Sequence, residues 1–240
     1  MALECKDFEN EMTEVDRLLE DYEGEKALSV LEGLEERVGE QSWAEFAHRF
    51  AQANYIVYNQ MSSGTAKERQ QLLKKGLAAV EKAHNLDKTH LAVLTQCAVL
   101  TGTLAEASSV GDRARLGYQF KVYLDAALAQ APDDFSLLHM RGRFLFHLSE
   151  LSWLEKKAAS VLFVKLPEAS YDLALVDLLN AHRKVPLAID NLLYIAKCYL
   201  GKKDKGEARN YLETLVNLEA IDATDEEQIA EGREMLNKLG

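Results

Sequence analysis

An all-α fold follows from three features of this 240-residue sequence. Only three prolines and thirteen glycines interrupt it, and the strong helix formers Ala, Leu, Glu and Lys are abundant. Apolar residues recur at i, i+3, i+4 and i+7 along most of the chain, the spacing of helices that bury one face. The third feature is a repeat. In residues 187–220, Leu192, Ile195, Ala196 and Tyr199 form one apolar stripe, and Ala208, Leu212 and Leu215 form a second across a polar turn. Within a unit of about 34 residues these stand at positions 4, 7, 8, 11, 20, 24 and 27, the tetratricopeptide (TPR) pattern. One such pair cannot bury its own apolar face and must stack on others. The expected architecture is a TPR-like α-solenoid of about five antiparallel helix pairs, with elongated inserted helices and a C-terminal capping helix.

No Pro-, Gly- or Ser-rich linker divides the chain, so a single TPR-like domain over 1–240 is expected: an acidic first pair (1–41), repeats (42–220) and a cap (221–240). In the first pair Val15, Leu18 and Leu19 precede a break at Glu23 and Gly24, and Ala27, Leu28, Leu31 and Leu34 follow. The second pair opens at Ser42, read as an N-cap with Glu45 closing a capping box. Its first helix carries Trp43, Phe46, Phe50, Tyr55 and Tyr58, and after a loop at 62–65 the return helix carries Leu73, Leu77, Val80 and Ala83. The third pair is a largely apolar helix over 90–108 and a return helix from Asp112, stopped by Pro132. The fourth runs over 135–151 and 171–183, stopped by Pro186. The insertion between its helices is expected to extend the first one and then turn at Pro167. Residues 187–220 are the fifth pair, and 224–239 the closing helix.

Net charge is −11, unevenly spread. Residues 1–45 carry −11, residues 46–217 carry +5 and residues 218–240 carry −5. Two acidic ends flank a mildly basic middle, so the whole-chain charge does not argue against an acidic partner. The longest weakly polar run, 91–105, is too short and too rich in Thr and Gln to span a bilayer, and the acidic start does not read as a signal peptide. Cys5, Cys97 and Cys198 are scattered without CxxC spacing, which points to a reduced, cytosolic compartment.

No phosphate loop, HExxH, nucleophile elbow or paired-carboxylate motif stands out, so neither an enzyme nor a cofactor is expected. His48, His84, His90, His139, His147 and His182 do not pair with Cys or His at helical spacing, which disfavours a metal site. Cys97 and Cys198 fall on apolar stripes as small core residues. Trp43 and Trp153 read as packing residues. The basic clusters lack interleaved aromatics, and nucleic acid is not an expected partner.

Two regions could bind a ligand. TPR first helices line a groove with positions 5, 9 and 12 facing inward, which selects His139, Arg143 and Phe146 in the fourth unit and Lys197 in the fifth. Two cations beside an aromatic suit an anionic lipid or acidic peptide, unless the chain's own acidic helices, the closing helix among them, fill the groove. The second region is basic outer surface: Lys67, Arg69, Lys74 and Lys75; Lys156 and Lys157; and Lys202, Lys203 and Lys205. For each cluster taken alone, a solvated turn or helix face is the commoner case.

The segments SELSWLEKKAAS (149–160) and IAKCYLGKKDKGEARNYLETL resemble the regulator of microtubule dynamics family. The resemblance extends over almost the whole chain and is most specific over 138–216. It implies a helical TPR-like domain with long inserted helices and no catalytic residues to carry over. It also implies one of two roles. One form of the family associates with microtubules and mitotic spindles, and others tether mitochondria to endoplasmic reticulum through an N-terminal anchor. No anchor segment is apparent in this sequence, so the soluble form is the closer match. The expectation is a non-enzymatic scaffold in the cytoplasm and cytoskeleton, at spindle microtubules and spindle poles. It would regulate microtubule dynamics and chromosome segregation by contacting tubulin, and other spindle proteins, through the lysine clusters. The alternative is a groove that holds an anionic lipid or acidic peptide in an adaptor or membrane-contact role.

Overall fold

The structure, a computed structural model, describes residues 5–62, 66–159 and 167–240. The loop expected around 62–65 and the later part of the 150–170 insertion thus lie partly outside the described residues. Among the described residues every regular element is helical. The chain divides into two compact units, Met1–Ala126 and Ala127–Gly240.

The first unit contains α1 (Cys5–Glu20), α2 (Gly24–Leu34), α3 (Trp43–Gln60), α4 (Ala66–Leu86), α5 (Leu91–Glu106) and the larger part of α6 (Val110–Gln130). Helices adjacent in sequence pack on each other, α1 on α2, α2 on α3, α3 on α4 and α4 on α5, and α3 also touches α1 and α5. The stripes explain this order. Phe8, Met12, Val15 and Leu19 in α1 and Ala27, Leu31 and Leu34 in α2 are all buried. Tyr22, at φ 59°, makes the left-handed turn between them, and Gly24 opens α2 where a Cβ would lie 2.7 Å from Ile56 Cγ2. The aromatic run of α3 forms a stack, with ring centroids 5.2 Å apart for Trp43–Phe46 and 5.4 Å for Phe46–Phe50. The Trp43 indole donates to the Ala79 carbonyl of α4 at 3.2 Å.

The second unit contains α7 (Phe135–Glu150), α8 (Trp153–Ala159), α9 (Tyr171–Lys184), α10 (Ile189–Gly201), α11 (Lys205–Leu215) and α12 (Ala223–Lys238). Here α7 packs on α9, α9 on α10, α10 on α11 and α11 on α12, and α10 also touches α7 and α12. Asp134, Ser170, Asp204 and Asp222 each cap a helix by accepting from the backbone N–H three residues on. Gly142 lets α7 approach α9 closely, since a Cβ there would lie 2.6 Å from Leu178 Cγ. Of the repeat residues, Leu192, Ile195, Ala196, Ala208, Leu212 and Leu215 are fully buried, each leucine contributing about 2 kcal/mol. Tyr199 is half-buried and stacks on Tyr211.

Several local expectations change. Ser42 makes no side-chain cap; it ends a 3-10 turn over Glu40–Ser42, and Glu45 turns instead toward cations and histidines. The insertion does not extend α7, because Leu151 is extended and a separate helix begins. Ser152 and Glu155 form the reciprocal capping box of α8: the Glu155 N–H meets Ser152 Oγ at 3.3 Å, and Ser152 N–H donates to the Glu155 carboxylate at 2.9 Å. Return helix α6 starts at Val110, two residues before Asp112. The turn after Gly201, the last residue of α10, is made by Lys203 at φ 65°.

Candidate functional site

Four of the residues singled out for the groove, His139, Arg143, Phe146 and Lys197, converge on one ring that the sequence reading did not select. That ring is Tyr194. Positions 139, 143 and 146 share a face of α7, and Tyr194 and Lys197 lie one turn apart on α10, which packs on α7. The guanidinium of Arg143 and the ammonium of Lys197 each lie 4.7 Å from the Tyr194 centroid. Phe146 meets it edge-on at 5.4 Å and His139 at 6.2 Å. The Tyr194 hydroxyl is 3.0 Å from His147 Nε2.

Both cations already hold carboxylates of the chain. Arg143 donates to Asp190 Oδ2 at 2.5 Å, and Lys197 reaches Glu231 of α12 at 2.9 Å. His139 Nε2 is 2.9 Å from Asp190 Oδ2, and its Nδ1 is 2.9 Å from Asn191 Oδ1. Asn191 spends its amide on the Leu178 carbonyl at 3.0 Å, which fixes the oxygen toward the ring. Burial alone would raise the Asp190 carboxyl, but Arg143, His139 and Lys197 hold it well below the usual carboxylate range. Its position in the first turn of α10 adds the favourable end of the helix dipole. Chemically the cluster is a charge-matched polar core between α7 and α10, with α12 supplying Glu231. An α10 position of opposite sign, Asp190, was the signal available in the sequence for this pairing.

The outer lysines divide by environment. On α4, Arg69 is buried with its guanidinium 4.3 Å from the Tyr58 centroid, and Lys75 binds Glu32 at 2.5 Å. Lys67 and Lys74 are exposed on the same helix. On α8, Lys156 and Lys157 are exposed, and Lys157 Nζ lies 5.2 Å from the Trp153 centroid. Trp153 itself is 71% exposed against 6% for Trp43, so the packing role expected of both tryptophans holds only for Trp43. In the α10–α11 turn Lys203 and Lys205 are exposed, and Lys202 pairs with Asp172.

A second polar cluster lies in the first unit, around Glu45. Arg49 donates to Glu45 at 2.7 Å and clasps Asp16 of α1 through two bonds of 2.6 and 2.9 Å. His90, the N-cap of α5, reaches Glu45 at 3.1 Å, and His48 accepts from Arg49 at 2.9 Å. The Arg49 bond, with help from His90 and His48, draws the Glu45 carboxyl down to about 2, while burial and Arg49 lower His48. This latch ties α3 to α1 and α5. Cys97 and Cys198 are fully buried, and burial pushes both thiols up to about 12, which makes them inert core residues. Among the described residues no group of three His, Cys, Asp or Glu is placed to hold a metal ion, and no helix is long and apolar enough to cross a membrane.

Comparison with known proteins places this geometry in a family. Residues 12–240 match the model of the family described as regulator of microtubule dynamics protein 1-3. The regulator of microtubule dynamics protein 1 of Caenorhabditis elegans is 34% identical over 174 residues, which are 72% of this chain and 77% of that protein. Human regulator of microtubule dynamics protein 2 is 30% identical over 81% of this chain and 47% of its own length. The rat protein 3 is 33% identical over 67% of this chain and 34% of its own length. The aligned part of the chain thus spans most of the worm protein but less than half of these two mammalian ones. These matches and the all-helical structure they accompany show that the chain belongs to the regulator of microtubule dynamics family.

Proposed function

We propose that this chain is a non-enzymatic, TPR-like scaffold that associates with microtubules and regulates their dynamics. The finer reading places it on the spindle and at spindle poles, in chromosome segregation, with tubulin and other spindle proteins as partners. The observation that carries the proposal is the family match over 12–240, whose members are named as regulators rather than enzymes. Helix pairs packed in sequence order within each unit, with repeat residues buried, support a TPR-like body treated as one domain over 1–240. Exposed Lys67, Lys74, Lys156, Lys157, Lys203 and Lys205 supply the cations for the disordered acidic tails that microtubule surfaces carry. Arg69, buried, and Lys75 and Lys202, paired, contribute less of the basic surface.

The groove alternative, an anionic lipid or acidic peptide held by His139, Arg143, Phe146 and Lys197, asks more of the chain. Its ligand must displace Asp190 from Arg143 and Glu231 from Lys197. The test of the main reading is microtubule growth from stabilised seeds, imaged with the purified protein at increasing concentration. A concentration-dependent change in growth rate or catastrophe frequency is the expected result. Unchanged dynamics at saturating protein would contradict it.

A further inference from the structure

Two lysine clusters far apart in the sequence each adjoin the place in the second unit where the end of α7 meets the start of α9. Glu150, the last residue of α7, accepts a hydrogen bond from the hydroxyl of Tyr171, the first residue of α9. The Tyr171 ring lies over Gly201, the last residue of α10, where a Cβ would run into the ring. The next residue, Lys202, pairs with Asp172. The end of α7, the start of α9 and the end of α10 therefore form one surface. The α10–α11 turn brings Lys203 and Lys205 to it, both exposed. From the other side α8 starts directly after α7, and Lys156 borders a cleft with Leu148 and Leu151 of the α7 terminus and Pro167 and Ala169 ahead of α9. Exposed Trp153 stands on the same short helix, with the Lys157 ammonium over its ring.

We infer that this end of the second unit is the docking surface for an extended acidic peptide. The inference rests on the microtubule reading and narrows it, from three lysine clusters to one composite surface and from a charged partner to one that also meets an aromatic. Lys156, Lys157, Lys203 and Lys205 pair with the carboxylates of the peptide. The indole face covers its backbone and aliphatic stems, a contact that surface lysines alone do not provide. A flat anionic membrane fits less well. Exposed Asp172, Asp204 and Glu207 stand among the lysines, so a bilayer covering the whole end meets both signs together. A narrow chain can follow the ammonium groups and pass between the carboxylates.

The two tryptophans give a direct readout, because Trp43 is buried and Trp153 is exposed. Tryptophan emission is titrated with an oligo-glutamate peptide at low salt, for the wild type, Trp153→Phe, Lys156→Glu/Lys157→Glu/Lys203→Glu/Lys205→Glu and Lys67→Glu/Lys74→Glu. The expected result is a saturable change in emission that raised salt reverses. It should vanish in Trp153→Phe, weaken at least about tenfold in the fourfold reversal and persist in the α4 variant. Emission that does not respond, or responds equally in the fourfold reversal, overturns the inference. So does a response to anionic phosphatidylserine vesicles without one to peptide, which would assign the surface to a membrane. Pelleting with microtubules separates the two levels. Wild-type pelleting with no peptide response sinks this surface and leaves the broader reading standing. A peptide response without pelleting leaves the surface standing and sinks the broader reading.

Discussion

Tyr194 and Asp190 show how residue-scale chemistry was partly visible beforehand. Repeat spacing pointed to His139, Arg143, Phe146 and Lys197, and the structure gathers all four about Tyr194. Spacing alone did not single out which carboxylates pair with Arg143 and Lys197: the closing helix was one named candidate and supplies Glu231, whereas Asp190 comes into reach of Arg143 only through the packing of α10 on α7. Asp190→Asn should lower stability by about 2 kcal/mol in urea titration, since it strips the shared carboxylate from Arg143 and His139. An unchanged midpoint would mean that the cluster contributes nothing to folding. The Glu45 latch makes a pH prediction. Glu45 is lowered from 4.5 to about 2, so its contribution is present above pH 4.5 and is lost as pH falls toward 2. His48 is lowered from 6.5, so its contribution too is present above pH 6.5 and is lost as pH falls below that value. Stability should therefore decline on acidification through both windows. Glu45→Gln should flatten the lower part of the profile and His48→Gln the upper part, and a profile identical to wild type in both would refute the latch.

At the scale of elements, apolar periodicity located the helices of the repeat pairs but not α8, and the ends were decided by capping chemistry that spacing alone cannot rank. Ser42 and Ser152 both stand three residues before a glutamate. The box forms only at Ser152, because Glu45 is claimed by Arg49 one turn on and by His90 from α5. Trp43 continues a stripe with Phe46 and Phe50 and is buried, whereas Trp153 stands on a seven-residue helix and is exposed. Glycines separate packing from propensity. Gly142→Ala should cost about 1–3 kcal/mol, because the added methyl meets Leu178 on α9. Gly33→Ala, at an exposed position of α2 with nothing within 4 Å, should raise stability by about 0.5–1 kcal/mol. Thermal denaturation of the two variants checks both signs, and a shift of the same sign in both would contradict the packing account.

For the whole molecule, composition and apolar spacing foretold the helical architecture of the described residues, and the resemblance of residues 149–160 and 195–215 foretold the family match, while the division into two compact units had no linker to announce it. The proposed single domain predicts one cooperative transition in calorimetry, with calorimetric and van't Hoff enthalpies equal; two resolved transitions would contradict it. Uneven charge is the other molecular-scale feature, since a net −11 conceals a basic middle that can still meet an acidic polymer. The central claim, direct electrostatic association with microtubules, is tested most directly by co-sedimenting the purified protein with polymerised tubulin across a salt series, with and without tubulin's acidic tails. The account predicts pelleting that weakens with salt and disappears when the tails are removed. Absence of pelleting at low salt, or pelleting indifferent to salt and tails, would contradict it.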